Sequence, residues 1–293
     1  MKQIAIIGPT ASGKSDLAIQ RAKKTDAYIL SIDSLSIYKE IDIVSAKPSK
    51  EELKEVRHFG IDTLNADQYF SVDIFISLYK QTLKECKKDG KNLIIVGGTS
   101  FYLKSLLDGL SPLPKITKDI LKSTQKEMKN LQKAYETLYD ADKNYMQKIA
   151  KGDRYRIEKA LIIFRASNLT PTQWFEQNPP KPIIKNLDIY NIEVDRDTLR
   201  QRIIKRTQKM LEMGLIDEIC YLEQKYKRGI NPMHSIGIVE VLEYLDLKVD
   251  IKQMEQNIIT HTAQLAKRQQ TFNKTQFENI TNAPLEKLKK VLV

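Results

Sequence analysis

Short apolar runs bounded by loop residues recur through the first hundred positions of the chain. Ile4-Ala5-Ile6-Ile7, the stretch from Tyr28 to Ile32 and Leu93-Ile94-Ile95-Val96 each have the length and β-branched content of a strand buried on both faces. Between them the apolar period lengthens to that of a helix, first from about Gly13 and then over Val72 to Lys88. Strand alternating with helix predicts a doubly wound parallel α/β sheet. Past Asn92 to Val96, Gly97-Gly98-Thr99 turns the chain, and Thr99 is placed to cap a helix carrying Phe101, Tyr102, Leu103, Leu106 and Leu107. Gly109, Pro112 and Pro114 end that helix. From there to about Lys181 the pattern is wholly helical and lysine-rich, and it closes on Asn178-Pro179-Pro180-Lys181-Pro182. Residues 112–181 therefore read as a basic helical insertion domain in a core formed by residues 1–111 and 182–293. Leu187 to Val194 resumes the sheet, and Asp197 begins a long helix ending near Gly214. Apolar stripes at Ile236, Val239, Leu242 and Leu245, and at Ile258, Ile259, Thr262 and Leu265, mark core-facing helices through Thr271.

Composition narrows the picture. No stretch approaches the roughly 20 apolar residues of a membrane span, and the chain starts directly in its first strand, so a cytoplasmic protein without a membrane partner is expected. Cys86 and Cys220 stand far apart and offer neither a disulfide framework nor a zinc site. The formal net charge of +11 biases the surface toward a polyanion, with nucleic acid the natural candidate. The cations are not evenly spread. Lys143, Lys148, Lys151, Arg154, Arg156, Lys159 and Arg165 crowd one segment, and Arg202, Lys205, Arg206 and Lys209 recur at helical spacing on one face without an acid. His58, His234 and His261 are scattered and read as structural or loop residues. Trp174 reads as an anchor packing the insertion.

The chemistry begins directly after the first strand. Gly8, Pro9, Thr10, Ala11, Ser12, Gly13, Lys14 and Ser15 spell a complete phosphate-binding loop between a strand and a helix. Its backbone N–H groups and the helix dipole favour an anion, Lys14 adds a full charge, and the Ser15 hydroxyl is placed to ligate Mg²⁺. A nucleoside triphosphatase usually has an aspartate at the end of a second strand, but Val96 runs straight into Gly97-Gly98. The carboxylate at a strand end is Asp33, on the crevice where open α/β sheets bind ligands. Three roles are open to it on these grounds: a displaced Mg²⁺ ligand, a base for a hydroxyl, or a base for another nucleophile. A fourth, purely structural role is capping the next turn.

A series of segments then carries a family resemblance in collinear order: GPTASGKS, SIDSLSIYKEIDIVSAKPS, RHFGID, VGGTSFYLKSLLDGL, RYRIEKAL, MLEMGL, SIGIVEVLEYL and QLAKRQQTF. Together they resemble the tRNA dimethylallyltransferases over most of the chain. The resemblance implies a P-loop-type sheet with a mostly helical insertion. It also implies transfer of a dimethylallyl group from its diphosphate to N6 of the adenosine 3′-adjacent to the anticodon. By the same resemblance Lys14 and Arg206 contact the diphosphate, Ser15 serves Mg²⁺, Asp33 is the general base at N6, and Thr99 helps fix the amine. The tRNA anticodon stem-loop would meet Asp33, Ser34, Leu35, Ser36, Thr99, Tyr155, Arg156, Ile157, Glu158, Lys159, Ser235, Ile236, Gly237 and Arg268. A monomer is the expected state. Three departures stand out: Ser36 where the family usually has Gln, Ile238-Val239 for Tyr-Lys, and Thr271-Phe272-Asn273-Lys274 for Thr-Trp-Phe-Arg. The rivals are a small-molecule kinase, a prenyl transfer to free AMP or ADP, and a nucleotide-gated RNA-binding module.

Overall fold

Strand β1 (Gln3–Ile7) is paired on both edges, Ile4 facing Ile94 on one side and Asp188 on the other. With both edges and both faces covered it has no position for a charge, hence four apolar residues in succession. It lies inside a six-stranded parallel sheet with β2 (Ala27–Ser31), β3 (His58–Phe59), β4 (Asn92–Gly97), β5 (Asp188–Glu193) and β6 (Ile280–Pro284), in the order β3-β2-β4-β1-β5-β6. The computed structural model describes all residues from Met1 to Val293. They divide into two units, Met1–Lys104 with Ile184–Val293, and Ser105–Ile183.

In the sheet unit, side-chain alternation along β1 sorts the core into two layers. Ile4 and Ile6 join Leu17, Ala18 and Ala22 of α1 (Lys14–Thr25), and the cluster continues to Leu288 and Leu292. Gln3 points the other way and accepts the Tyr79 hydroxyl of α3 (Val72–Lys88) at 2.7 Å. Helices on both faces make the sheet doubly wound, as the alternation of runs predicts. Short α2 (Lys50–Glu55) precedes β3, and α4 (Ser100–Asp108) follows β4.

The helical unit comprises α5 (Lys118–Glu127), α6 (Leu131–Ala141), α7 (Lys143–Met146), α8 (Arg154–Ser167) and α9 (Pro171–Gln177). Its ends are tied, since Ile183 N–H donates to Leu106 O at 2.9 Å, so the unit takes in the second half of α4 and begins before the prolines. Its core gathers Leu138, Met146, Ile157, Ala160 and Leu161. Trp174 anchors the segment as read, its indole N–H donating to Pro112 O at 2.9 Å. After β5 the chain forms α10 (Arg196–Glu212), α11 (Leu215–Tyr226), a 3-10 turn (Asn231–His234), α12 (Ile238–Leu245), α13 (Ile251–Gln276) and α14 (Leu285–Leu292). β6 and α14 had no counterpart in the hydrophobic pattern. Ile280–Pro284 is an edge strand of mixed polarity, and its pairing with β5 makes it a strand. No helix is long and apolar enough to cross a membrane.

Asp142 is the polar keystone of the helical unit. It is 7% exposed and accepts Tyr145 N–H at 3.1 Å, capping α7. It also takes Thr172 N–H at 2.7 Å and the Thr172 hydroxyl at 2.9 Å, which fixes the start of α9. Asp142→Ala strands three donors and should cost about 2–4 kcal/mol by urea denaturation followed by circular dichroism. A loss below about 0.5 kcal/mol contradicts that assignment.

Candidate active site

The phosphate-binding loop joins β1 to α1, and its last residues are the first turn of that helix. N–H groups not yet used by the helix therefore face the loop's concavity, where an anion also meets the positive end of the dipole. Lys14 folds back over the loop, Nζ donating to Pro9 O at 3.1 Å. Arg206 reaches the loop from α10, its Nη1 donating to the Thr10 hydroxyl at 3.2 Å, and Arg202, one turn earlier, donates to Ser12 O at 3.3 Å. Of the four cations on that helix face, these two turn to the loop, while Lys205 and Lys209 are exposed.

Removal from water pushes the Lys14 ammonium down to about 8, the Arg206 charge pushes the same way, and Asp33 opposes both. Arg206 is lowered too, by burial, again against the pull of Asp33. Two cations are thus held close with one acid as partial compensation, an arrangement that an incoming anion relieves.

Asp33 follows β2 at the C-terminal edge of the sheet. Its Oδ1 accepts Leu35 N–H at 2.9 Å and Ser36 N–H at 3.2 Å, so it does cap the following turn. Both bonds fall on one oxygen, and Oδ2 takes none. Asp33 lines a cleft of about 380 Å³ together with Thr10, Lys14, Ser15, Thr99 and Arg206. Ser34, Leu35, Ser36, Ser235, Ile236 and Gly237 line it as well. Ser36 is 4% exposed and its hydroxyl lies 3.2 Å from that of Ser31, so the short side chain is spent on the turn.

The turn at Ser235–Gly237 is held by a buried acid. Glu240 of α12 accepts Gly237 N–H at 2.6 Å through one oxygen and meets His261 Nδ1 at 2.6 Å through the other. Gly237 has φ +92, and a Cβ there would lie 2.5 Å from Val44 Cγ2, so glycine is needed on both counts. Val44 belongs to the opposing wall, where Glu218 of α11 gathers the N–H groups of Asp42, Ile43 and Val44 at 2.6, 2.7 and 2.9 Å. Lys47, buried in the same loop, bridges Asp42 and Asp62 at 2.6 Å each.

Other predicted residues lie elsewhere. Arg268 is on the exposed face of α13, in a shallow depression with Lys267 and Phe272. In the helical unit Tyr155 is 62% exposed with the Lys159 ammonium 5.4 Å over its ring, which settles it as a surface aromatic. Arg156 pairs with Asp153 at 3.5 Å, and Glu158 is half-buried on the same helix. Ile157 is a correction: it is fully buried in the helical core, because it occupies the inward face of α8, and offers RNA no side-chain contact. Gln269, Glu218, Glu240 and the cleft positions of His58 and His234 escaped sequence reasoning, since their partners lie far away along the chain.

For Mg²⁺, the chain brings the Ser15 hydroxyl to the cleft, and no group of three or more acidic, histidine or cysteine side chains gathers around it. One hydroxyl suits an ion coordinated mainly by substrate phosphates and water, the usual habit of Mg²⁺.

A family model described as IPP transferase matches residues 36–276. The tRNA dimethylallyltransferase of Sulfurimonas denitrificans is 64% identical over 293 residues, spanning 100% of this chain and 99% of that protein. That of Sulfurovum sp. is 53% identical over 294 residues, spanning 100% and 98%. Among solved structures, the full-length tRNA isopentenylpyrophosphate transferase of Bacillus halodurans aligns with a TM-score of 0.72 at 27% identity, over 99% of this chain and 94% of its own. A eukaryotic dimethylallyltransferase acting on tRNA shares the fold with a TM-score of 0.84 at 24% identity, over 98% of this chain and 75% of its own.

Lys14 is expected to set the pH dependence of anion binding at the loop. Below about 8 it is protonated and adds its charge; above, the free protein loses that charge and binding must recruit a proton. Calorimetric titration with pyrophosphate should therefore show affinity falling more steeply above about pH 8 in the wild type than in Lys14→Arg, which stays charged. Parallel curves for the two proteins contradict this.

Proposed function

The chain belongs to the IPP transferase family and is a tRNA-prenylating enzyme, and from that premise we propose that it moves a dimethylallyl group from dimethylallyl diphosphate to N6 of the adenosine 3′-adjacent to the anticodon. One observation carries the proposal: Asp33 is pinned through Oδ1 and keeps Oδ2 without a partner, in the cleft that Lys14 and Arg206 make attractive to a diphosphate.

The loop amides, Lys14 and Arg206 bind the two linked phosphoryl groups. As the N6 lone pair forms its bond to C1 of the prenyl group, the C1–O bond breaks and its electron pair goes to the diphosphate. Negative charge grows where the cations already stand, which stabilises the transition state more than the ground state. The new bond makes the nitrogen acidic, and Asp33 Oδ2 takes its proton, a role typically worth roughly 10²- to 10⁴-fold. Thr99, at the end of β4 and on the same cleft, fixes the amine. Mg²⁺ when bound supplies charge neutralisation on the diphosphate, with Ser15 as its protein ligand.

The adenine must leave its stack to enter, at a cost of roughly a few kcal/mol. Contacts to the anticodon stem-loop offset that cost. Tyr155, Arg156 and Lys159 on α8 present an aromatic ring and cations to a splayed loop, the features by which single-stranded RNA is read. Ser34 and Leu35 at the Asp33 turn, Ser235 to Gly237, and Arg268 on α13 complete the tRNA-facing set. Cytoplasmic tRNA and a monomeric protein complete the reading.

Asp33→Asn keeps the turn-capping oxygen and removes the base. Transfer from labelled dimethylallyl diphosphate to tRNA should fall at least about a hundredfold while tRNA affinity stays within a few-fold. Full activity in the variant, or consumption of labelled ATP in place of the prenyl donor, defeats the reading. Affinity for tRNA should also fall steeply with salt, by about 0.7 in log K per log salt for each phosphate neutralised.

A further inference from the structure

Gln269 is a cleft residue with no role in the reaction as described. It projects from α13, a helix fixed to the strand ends by polar bonds. Gln270 Nε2 donates to Val194 O at 3.1 Å, and Asn273, one turn after Gln269 and fully buried, donates to Asn191 Oδ1 at 2.9 Å. Asn191 in turn donates to Asn282 Oδ1 at 2.8 Å, which carries the seam across β5 to β6. The Gln269 backbone is therefore held in place before any ligand arrives.

Its side-chain orientation is fixed as well. Thr10 N–H donates to Gln269 Oε1 at 2.8 Å, and a backbone N–H requires the oxygen rather than the nitrogen at that point. Nε2 must then lie on the other side, toward Gly98. It sits so close that a Cβ on Gly98 would come within 2.5 Å of it. Thr10, held by Gln269 on its N–H, is held by Arg206 on its hydroxyl. The amide oxygen and the guanidinium thus hold the same loop residue at the mouth of the anion cradle, and Nε2 turns from there toward Gly98 on the same cleft. No protein acceptor meets the Nε2 hydrogens.

We propose that Gln269 is a further catalytic residue, whose Nε2–H donates to a diphosphate oxygen at the mouth of the loop beside Arg206. The proposal rests on the prenyl-diphosphate reading above. When N6 bonds to C1 and the C1–O electron pair passes to the diphosphate, this donor meets the growing charge, while the N6 proton goes to Asp33 as before. A neutral donor aimed there needs no counter-charge and adds nothing to the repulsion between Lys14 and Arg206.

The test compares two variants by pyrophosphate titration and by prenyl transfer to tRNA. Gln269→Glu keeps an oxygen for Thr10 N–H and the shape of the side chain, but replaces the donor with an anion. Gln269→Met loses both the acceptor and the donor without adding charge. The expected result is pyrophosphate affinity reduced about tenfold or more in both, the equivalent of one hydrogen bond to a charged partner, with the larger loss in Gln269→Glu. The kcat at saturating donor should fall in the same order, with KM for tRNA within about twofold of wild type. If Gln269 only holds Thr10, Gln269→Glu loses only what its added charge costs, a loss that shrinks to about twofold or less as salt screens it, and Gln269→Met is the more damaged variant, which overturns the proposal. A shift confined to KM for tRNA, with pyrophosphate affinity kept, assigns Nε2 to the base and overturns it too. Should Gln269→Glu fail to fold, the pyrophosphate affinity of Gln269→Met decides, unchanged affinity being the contrary result. Failure of the wild type itself to bind pyrophosphate is a different outcome, since it removes the donor reading and not Gln269 alone.

Discussion

Lys14 and Arg206 repel one another across a single loop, and the rest of the molecule is arranged around keeping them there. Left in water the two charges would separate at little cost, but here each is drawn from solvent and lowered by burial, with Asp33 the nearest compensation. An incoming polyanion would offset both charges. A diphosphate fits because it brings charge to both cations at once, and because its charge increases during bond cleavage. The acid that partly neutralises the pair is the same group that can receive a proton from an amine. In the proposed reaction, anion capture and base catalysis would therefore share one cleft without a second acid.

Such a cleft needs stiff walls, and the structure supplies them with polar bonds rather than bulk. Glu218 collects three consecutive N–H groups of the loop that carries Val44, and Glu240 fixes the turn that faces it. The two walls then meet at Gly237 and Val44 with no room for a Cβ. On the sheet side the Asn273–Asn191–Asn282 ladder sets the position of α13. Asn273 stands where the resembling family usually has Phe. Here the buried amide takes a hydrogen-bond partner, Asn191 of β5. The Asn273 Oδ1 is buried without a partner.

Much of this was legible in the residues, for identifiable reasons. The strands β1, β2 and β4 are mostly buried and leave uninterrupted apolar runs, and the phosphate-binding loop has a spacing that few other structures need. Helix α3 matched from Val72 to Lys88 because Ser71 caps it and the apolar period is strict. What stayed hidden depends on distant partners. β6 contains Asn282 and Pro284 and becomes a strand through β5. Gln269 looks like any polar residue of a basic helix until Thr10, 259 positions away, is placed beside it. Ile157 failed for the opposite reason: a matching motif marks a segment, while burial decides which of its side chains face outward. Asp33 does cap the next turn, but through Oδ1 alone, so the cap and the proposed base role need not be alternatives.

The central claim is a geometric one, and a crystal structure of the protein with an unreactive diphosphate donor analogue and an anticodon stem-loop tests it most directly. The account predicts the diphosphate across Lys14 and Arg206, and the target N6 within about 3 Å of Asp33 Oδ2 with the prenyl carbon on its far side. An Asp33 carboxylate turned away, or a nucleobase that stops farther from it than one bridging water, contradicts the account.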